Sequence, residues 1–250
     1  MRILVSGLGG FMGREVAKLA LEGYRGAELV AGVDLMGAKD APVPCVKSFD
    51  EARTDVDLVV DFSHHDGTMA LLDFVTKNNL RLVLATTGQT EEEKAAILEA
   101  SKRIPLFFAA NYSLGIALLT EMAKKVAAAM PDAEIEIIEK HHDRKVDAPS
   151  GTALALAEAI REVRPNAEIV RGRDGFGKRT KTEIGIHAIR MGNLAGEHEI
   201  LVGTQNQTIT LKHETHSRAL FAEGALAAAE FLMKQGPGLY DMSDVIEAAV

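Results

Sequence analysis

The chain has 250 residues, of which 47% are hydrophobic and 26% are charged, the balance of an ordinary globular protein. Its net charge of −8 argues against a nucleic-acid surface, which needs clustered lysine and arginine. The single cysteine, Cys45, lies in a loop-like stretch, excludes a disulfide framework within the chain and fits a reducing compartment. No run reaches the length of a membrane span and no signal peptide is apparent, so we expect a cytoplasmic protein.

The N-terminal segment has the pattern of a buried strand, a glycine turn and a helix. The apolar run Ile3–Val5 leads directly into Gly7, and Gly10 and Gly13 follow. Glycines in this context let the backbone approach a pyrophosphate, and the helix N-terminus supplies N–H groups. The strict G-x-G-x-x-G pattern fails because Met12 occupies the third position. The remaining alternatives are a variant dinucleotide turn and an ordinary tight turn.

A second apolar strand, Leu29–Val33, ends in Asp34, about 20 residues beyond the glycines, where a carboxylate can accept hydrogen bonds from the adenosine ribose. Acidic residues follow strands for other reasons too, so Asp34 carries weight only together with the glycine turn. The next cation is Lys39, five positions later. Since a ribose phosphate would bring a second anion to this carboxylate, we expect NADH to be preferred over NADPH.

Strands and helices then alternate, which indicates a doubly wound parallel sheet of Rossmann type. The predicted strands cover Leu58–Val60, Leu80–Leu84 and Leu106–Ala110, and Thr90 with Glu93 predicts a capping box. Ligands of such sheets bind beyond the carboxyl ends of the strands. The candidate cofactor contacts there are Asp61 to Ser63, Ala85 to Gly88 and Ala109 to Tyr112.

The pattern changes after Gly115 to one that predicts a second α+β domain with an open sheet. A long helix, Ile116–Ala129, precedes segments rich in β-branched residues. These are Thr182 to Arg190, Glu197 to Val202 and Gln207 to Glu214, the last with the alternation of a half-buried antiparallel strand. A final helix, Arg218 to Lys234, is predicted to bury Leu220, Phe221, Gly224, Ala228 and Phe231, and a short tail follows.

Two charged features of this part have more than one interpretation. The stretch from Arg171 to Lys181 carries five basic residues and three glycines, and a solvated loop is favoured over an anion-attracting lid. The scattered histidines lack metal-site spacing, so no metal is expected and they are interpreted as structural or peripheral. They are His187, His198, His213 and His216.

The stretch from Glu139 to Leu154 holds the most chemistry, because an apolar strand gives way to a charged loop and then to a helix start. His141, His142 and Lys145 can transfer a proton or hold an anion near neutral pH. Ser150 and Thr152 add hydroxyls at a helix N-terminus. This combination suggests a site for a small acidic substrate, and the alternative is a solvated loop before an ordinary capped helix.

Together these segments resemble the 4-hydroxy-tetrahydrodipicolinate reductase (dihydrodipicolinate reductase) family nearly end to end. In that family Met12 is the expected residue of the glycine turn. The resemblance rests on Gly7-x-x-Gly10-x-Met12-Gly13, Asp61-Phe62-Ser63, Thr86-Thr87-Gly88, Ala110-Asn111-Tyr112-Ser113, the block from Glu139 to Ala153, Gly196-Glu197-His198 and Ser217-Arg218-x-x-Phe221.

The resemblance implies an NAD(P)H-dependent reductase of diaminopimelate and lysine biosynthesis that acts on a dicarboxylate with loss of water. It implies His141 as proton donor, assisted by Lys145, and a homotetramer joined through the C-terminal sheets. The implied substrate-binding residues are His142, Ser150, Gly151 and Thr152. The implied cofactor-binding residues are Gly7, Gly9, Gly10, Phe11, Met12, Gly13, Asp34, Ala85, Thr86, Thr87, Ala109, Ala110, Asn111 and Tyr112.

The implied dinucleotide-binding domain comprises residues 1–110 and 218–250, and residues 111–217 form the domain for substrate and oligomerisation. Two features depart from the family pattern: Ala85 replaces a glycine, and His64-His65 replace a different loop. Two other functions are compatible with the layout. One is a different nicotinamide oxidoreductase, such as an amino-acid dehydrogenase, and the other is a non-enzymatic dinucleotide sensor, against which His141, His142 and Lys145 argue.

Overall fold

The computed structural model describes residues 1–249. They divide into two compact units, one formed by Met1–Leu114 with the chain from Arg218 onward, the other by Gly115–Ser217. The strands are β1 (Arg2–Ser6), β2 (Glu28–Val33), β3 (Cys45–Val46), β4 (Leu58–Asp61), β5 (Arg81–Leu84), β6 (Pro105–Phe108), β7 (Glu134–His141), β8 (Glu168–Arg171), β9 (Glu183–Arg190), β10 (Glu197–Gly203), β11 (Thr208–Glu214) and β12 (Gly238–Tyr240). The helices are α1 (Phe11–Leu21), α2 (Thr68–Lys77), α3 (Glu91–Ser101), α4 (Leu114–Ala129), α5 (Gly151–Val163), α6 (Ala219–Leu232) and α7 (Met242–Glu247). None of the described helices combines the length and apolar character that crossing a membrane requires.

The first unit contains a seven-stranded sheet in the order β12-β6-β5-β4-β1-β2-β3, with parallel pairing throughout. Its central strands each contain an apolar run because helices cover both faces. The strand order reverses at β1, which has β2 on one side and β4 on the other. Such a reversal opens a crevice at the carboxyl edge of the sheet, where ligands bind. The predicted doubly wound fold is therefore confirmed.

Three short elements of this unit were not predicted. Cys45 does not lie in a loop, because Cys45 and Val46 pair with β2 as the two-residue edge strand β3. The predicted tail contains β12 and α7, the latter begun by a capping box between Asp241 and Asp244. In the other direction, β6 stops at Phe108, so the predicted strand to Ala110 was too long.

Helix α6 is buried over more of its circumference than its periodicity suggests. Leu220, Phe221 and Phe231 are only partly buried, contrary to the prediction. The buried positions are mostly small and include Gly224. A Cβ built on Gly224 would lie 1.6 Å from the carbonyl oxygen of Tyr112. Small residues let this helix approach the sheet and α1 closely, which a stripe of large side chains would prevent.

The second unit contains a five-stranded mixed sheet in the order β11-β10-β7-β9-β8. β10 pairs antiparallel with β7 and β11, while β9 runs parallel to β7 and β8. Side chains alternate between the faces, so one face packs its isoleucines and valines against α4 and α5. The opposite face carries polar and partly exposed residues. The predicted open sheet is confirmed, although β8 was not foreseen.

Candidate active site

The glycine turn between β1 and α1 is shaped for close approach of its backbone to a neighbour. Gly7 has a φ of +78°, and a Cβ there would lie 2.6 Å from the carbonyl oxygen of Phe62. A Cβ on Gly13 would lie 2.1 Å from the Gly7 oxygen, so α1 can pack onto the turn only with glycine at that position. Gly10 is exposed at the N-cap, and its side-chain-free surface leaves the helix N-terminus open to an anion. The exposed Phe11 and the half-buried Met12 follow as the first helical residues.

Asp34 lies beyond the end of β2 and is tied to the glycine turn. Its Oδ2 accepts a hydrogen bond of 2.8 Å from the Gly9 nitrogen, and its Oδ1 accepts one of 3.0 Å from Met36. A Cβ on Gly9 would lie 2.9 Å from Oδ2, which explains the glycine. The glycine turn and the acidic residue that were predicted as a pair are thus joined directly by the hydrogen bond from Gly9 to Asp34.

A cavity of about 480 Å³ lies beside this turn, between α1 and the segment after Asp34. Its cationic lining consists of Arg14, Lys18 and Lys39, and Glu22 and Asp40 contribute carboxylates. Three cations near the carboxylate of Asp34 can attract a phosphate group, which opposes the repulsion expected from Asp34 alone.

A buried carboxylate, Asp61, joins the loops that follow β4 and β5. It is 1% exposed and accepts hydrogen bonds from Ser63 Oγ at 2.7 Å and Thr86 Oγ1 at 2.5 Å. Burial raises the pKa of Asp61 above its ordinary value, and the hydroxyls of Ser63, Thr86 and Ser6 oppose that rise. Thr86 therefore uses its hydroxyl to anchor its own loop, and its carbonyl oxygen accepts from Gln89 Nε2 at 2.9 Å.

Tyr112 is buried within the first unit. Its hydroxyl donates to the Leu84 oxygen at 2.8 Å, and burial raises the pKa of Tyr112 well above its usual value. Asn111 accepts from the Ser113 nitrogen at 2.8 Å, which shapes the turn into α4. The other predicted contacts lie beside the same edge of the sheet. Among them, Ala85, Ala109 and Asn111 are half-buried, whereas Thr87 and Ala110 are exposed.

The unusual histidines after β4 have distinct contacts. His65 Nδ1 lies 3.3 Å from Glu93 Oε1, so this loop is tied to the capping box that begins α3. Among the described residues, His64, His65 and Asp66 also form a group whose potential ligand atoms all lie within 4.8 Å of one another. His64 and Asp66 are exposed, so the group is as well suited to solvated ion pairs as to a metal ion.

In the second unit, the end of β7 places a histidine against a buried carboxylate. Glu139 is fully buried, and its Oε2 lies 2.6 Å from His141 Nδ1. Its Oε1 accepts from the Ser150 nitrogen at 2.9 Å. Arg190, on β9, forms two hydrogen bonds to the same carboxylate, of 2.8 Å to Oε2 and 2.6 Å to Oε1. Residues 139, 141, 190 and 198 share the face of the sheet that α5 covers, because they are in register across three strands.

The protonation of these groups follows from their surroundings. Burial acts to raise the pKa of Glu139, but hydrogen bonds from Arg190, His141 and Ser150 outweigh it and lower the pKa below its ordinary value. Burial lowers the pKa of His141, Glu139 opposes this effect, and Lys145 and Arg190 add to it. We assign the Nδ1 proton of His141 to the bond with Glu139, which directs Nε2 away from the carboxylate. Built on Gly196, a Cβ would come within 3.1 Å of this Nε2, so glycine leaves room beside it.

His198 lies against this pair from β10. Its ring is 5.3 Å from that of His141, and its Nε2 is 3.2 Å from Ser150 Oγ. Burial and the neighbouring His141 lower the pKa of His198 to about 4, so it is neutral at physiological pH. His198 is buried against this pair, so it is not peripheral. Of the other histidines, His187 pairs with Glu136 at 2.8 Å.

The charged loop between β7 and α5 contains an internal ion pair close to the start of α5. Lys145 Nζ lies 2.8 Å from Asp147 Oδ1. Lys145 lowers the pKa of Asp147, and the backbone N–H of Gly151 contributes to that effect. Ser150 caps α5 by accepting from the Ala153 nitrogen at 3.2 Å. Lys145 and the start of α5 therefore lie together around the carboxylate of Asp147. Such an ion pair is common in a solvated loop, and the same groups can also hold the carboxylate of a bound ligand.

Two more predicted features differ in detail from expectation. His142 is half-buried, and its Nδ1 is buried without a partner among the described residues, so it can bond a small molecule. The basic stretch from Arg171 to Lys181 is mostly exposed, as predicted, but Arg179 folds back onto β7. Its guanidinium bonds Glu136 and the carbonyls of Ile135 and Glu183.

Sequence reasoning missed Arg190, and it did not assign a role to Glu139. Glu139 stands inside the motif that carried the resemblance, so its position two residues before His141 on one strand was a usable signal. Arg190 lies 51 residues from Glu139 in the chain, and nothing local marks it. Only the pairing of β7 with β9 brings the two together.

Comparison with known proteins gives one family. The profile described as dihydrodipicolinate reductase, N-terminus, matches residues 1–112, and the one described as dihydrodipicolinate reductase, C-terminus, matches residues 115–246. A 4-hydroxy-tetrahydrodipicolinate reductase of Caldanaerobacter subterraneus subsp. tengcongensis is 44% identical over 99% of this chain and 98% of its own length. One from Clostridium novyi is 41% identical over the same shares.

Solved structures agree with this result. The dipicolinate-bound dihydrodipicolinate reductase from Paenisporosarcina sp. TG-14 superposes with a TM-score of 0.81 at 28% identity, covering 96% of this chain and 97% of that one. An aspartate dehydrogenase from Thermotoga maritima has a TM-score of 0.53 at 14% identity, covering 93% of this chain and 96% of its own. The second likeness shows the two-domain fold alone.

Proposed function

Because the chain belongs to the dihydrodipicolinate reductase family, we propose that it reduces 4-hydroxy-tetrahydrodipicolinate to tetrahydrodipicolinate, with loss of water, at the expense of NAD(P)H. This is an oxidoreductase step of diaminopimelate and lysine biosynthesis. The observation that carries the proposal is the imidazole of His141, held by a buried carboxylate at 2.6 Å and flanked by Lys145. A proton donor beside an anion cradle is what reduction of an unsaturated dicarboxylate requires.

The residues of the first unit fit a dinucleotide. A bound reduced nicotinamide supplies a hydride. A Cβ on Gly7, Gly9 or Gly13 would collide with the protein's own atoms, so these glycines keep the tight turn that a pyrophosphate site requires, and Asp34 suits a ribose. Asp61 holds the loops after β4 and β5 in one arrangement, and these loops form the rest of the proposed cofactor site.

His141 then acts as the general acid. Hydride addition to an unsaturated carbon displaces an electron pair, which must take up a proton. Protonated His141 gives up the proton on Nε2, while Nδ1–H stays bonded to Glu139. The product is a neutral imidazole whose tautomer is already fixed, so no ring flip is needed before reprotonation.

Lys145, His142 and the start of α5 form the proposed substrate-binding residues, with Ser150, Gly151 and Thr152. A substrate carboxylate replaces the carboxylate of Asp147 on Lys145 and on the Gly151 nitrogen. The helix N-terminus favours that anion through its aligned N–H groups. His142 Nδ1 supplies one further polar contact.

Among cofactors we favour NADH, because Asp34 presents a carboxylate where NADPH carries a phosphate. The neighbouring cavity is lined by three cations, Arg14, Lys18 and Lys39, and these reduce the expected preference for NADH over NADPH. A preference of roughly tenfold in kcat/KM corresponds to only about 1.4 kcal/mol. We also propose a cytoplasmic homotetramer joined through the sheet of the second unit, whose partly exposed face and open edge strand β11 offer the surface.

The test is a coupled assay in which dihydrodipicolinate synthase generates the unstable substrate and NAD(P)H absorbance is followed. We expect cofactor oxidation that depends on the synthase and its two substrates. NAD(P)H oxidation with an oxo acid and ammonia, or reduction of the oxidised cofactor with an amino acid, would instead favour an amino-acid dehydrogenase. Tight binding of NADH without any turnover would favour a sensor.

A further inference from the structure

We propose that Arg190 is a positioning residue, which acts on His141 through the carboxylate of Glu139. The inference rests on the proposed function only in assigning proton transfer to His141. The geometric part of the proposal concerns which ring nitrogen of His141 is hydrogen-bonded to Glu139. It can be measured without turnover.

The carboxylate between the two residues has no freedom to rotate. Arg190 holds both of its oxygens through a forked pair of hydrogen bonds, 2.8 Å from Nη1 and 2.6 Å from Nη2. The Ser150 nitrogen takes Oε1 at 2.9 Å, and His141 takes Oε2. A planar guanidinium fixes a carboxylate in orientation as well as in position, which a lysine cannot do.

Each partner of this carboxylate belongs to a different part of the site. Arg190 is the last residue of β9. Its Nη2 also donates to the backbone carbonyl oxygen of Asp147 at 2.6 Å, so it contacts the loop that carries Lys145. Ser150 is the cap of α5. A buried ion pair contributes little net stability once its desolvation is counted. Its placement directly beside one imidazole therefore points to orientation rather than to stability.

The charged and titratable groups that face His141 are Glu139 on its own strand, Arg190 on β9, His198 on β10 and Lys145 in the loop. Glu139 favours the protonated ring, whereas Arg190 and Lys145 disfavour it. Removing Glu139 and removing Arg190 must then move the titration of His141 in opposite directions. The opposite signs report that both groups act on the His141 ring, and the tautomer of the neutral ring reports its orientation, which a merely structural pair would leave unchanged.

The experiment is an NMR titration of the intact protein with isotope-labelled histidine, in which His141→Asn identifies the His141 signals. We expect wild-type His141 to carry its proton on Nδ1 when neutral. In Glu139→Gln its titration should move to lower pH and the Nδ1 preference should be lost, whereas in Arg190→Gln it should move to higher pH. Titrations that coincide with wild type, or that move the same way in both variants, would overturn the proposal.

The chain contains a matched control on the opposite face of the same strand. Glu136 pairs with His187 at 2.8 Å and with Arg179 at 3.3 Å. Glu136→Gln removes a carboxylate from the other face of β7 and should leave the titration of His141 unchanged. If it moved His141 instead, the NMR effect would be a general property of the sheet, and the proposal would fail.

Kinetics supply the second readout. Arg190→Lys keeps the charge but loses the fork, so kcat near neutral pH should fall about tenfold, and Arg190→Gln should lose more. The NADH dissociation constant should not change in either variant. If the wild-type protein had no reductase activity, the proposed function would fail while the NMR result would still decide the positioning. Full kcat in a folded Arg190→Gln variant would refute the positioning role.

Discussion

His141 is the single side chain whose removal should reduce turnover most. His141→Ala should lower kcat by about two orders of magnitude or more, the usual contribution of a positioned general acid. The NADH dissociation constant, measured by fluorescence titration, should stay near the wild-type value because His141 belongs to the second unit. A variant with near wild-type kcat would remove His141 from the mechanism.

His198 should make the folded protein sensitive to acid. Its folded pKa of about 4 lies below the ordinary 6.5, so the unfolded chain binds the proton more readily. The stability from this group is fully present above pH 6.5 and is lost as pH falls from 6.5 towards 4. At full loss it amounts to at most about 3 kcal/mol.

Urea unfolding between pH 7 and pH 4.5 measures this effect as a slope of the unfolding free energy against pH. His198→Gln should flatten the slope, although it also loses the bond to Ser150 and so starts less stable. Equal slopes for wild type and His198→Gln would show that His198 is not the acid-sensitive group.

At the scale of elements, the loop before α5 leads to the prediction that a substitution within it strengthens ligand binding. If Asp147 occupies the place of a substrate carboxylate, Asp147→Asn should bind dicarboxylates more tightly. The gain should be about two- to fivefold, because an exposed ion pair is worth less than about 1 kcal/mol. Calorimetric titration with dipicolinate measures it, and Lys145→Ala should change the affinity in the opposite direction.

Asp143→Asn is the control for this loop, because Asp143 is exposed and its carboxylate accepts from its neighbour Arg144 at 3.0 Å. Its dipicolinate affinity should match wild type. Weaker binding by Asp147→Asn would mean that Asp147 supports the bound state rather than competing with it.

The elements that the sequence pattern predicted are those with a continuous apolar run or an alternating run. β1, β2, β4 and β5 each contain a short apolar run, because both faces of a parallel sheet are covered. β3 has two residues and β12 has three, so neither offers a period to detect. α6 was found as a helix but assigned the wrong buried face, since small residues are buried there by close packing that no hydrophobic stripe reveals.

At the scale of the whole molecule, the candidate site was only partly predictable for a topological reason. His141, His142, Lys145 and Ser150 lie within ten residues of one another, so their spacing could be read directly. Arg190 and His198 come from two other strands, and the mixed order β10-β7-β9 is what aligns them with Glu139. Neither local spacing nor composition specifies that order, so the orienting network became visible only in the folded sheet.

Cofactor choice also depends on surfaces that the fold assembles. We expect NADH to be preferred by roughly tenfold in kcat/KM at moderate salt and neutral pH. Lys39→Ala should widen this preference by lowering kcat/KM for NADPH alone, since Lys39 lines the cavity beside Asp34. A clear wild-type preference for NADPH would show that the cations of this cavity outweigh the carboxylate.

The central claim is that this chain couples oxidation of a nicotinamide cofactor to reduction of 4-hydroxy-tetrahydrodipicolinate. The most direct measurement is a single turnover, in which the enzyme with bound NADH is mixed with freshly formed substrate. NADH loss and tetrahydrodipicolinate formation are followed together by absorbance and mass spectrometry. The predicted result is equal amounts of NADH consumed and tetrahydrodipicolinate formed, with both slowed in parallel in His141→Ala. NADH loss without that product, or no NADH loss at all, would contradict the claim.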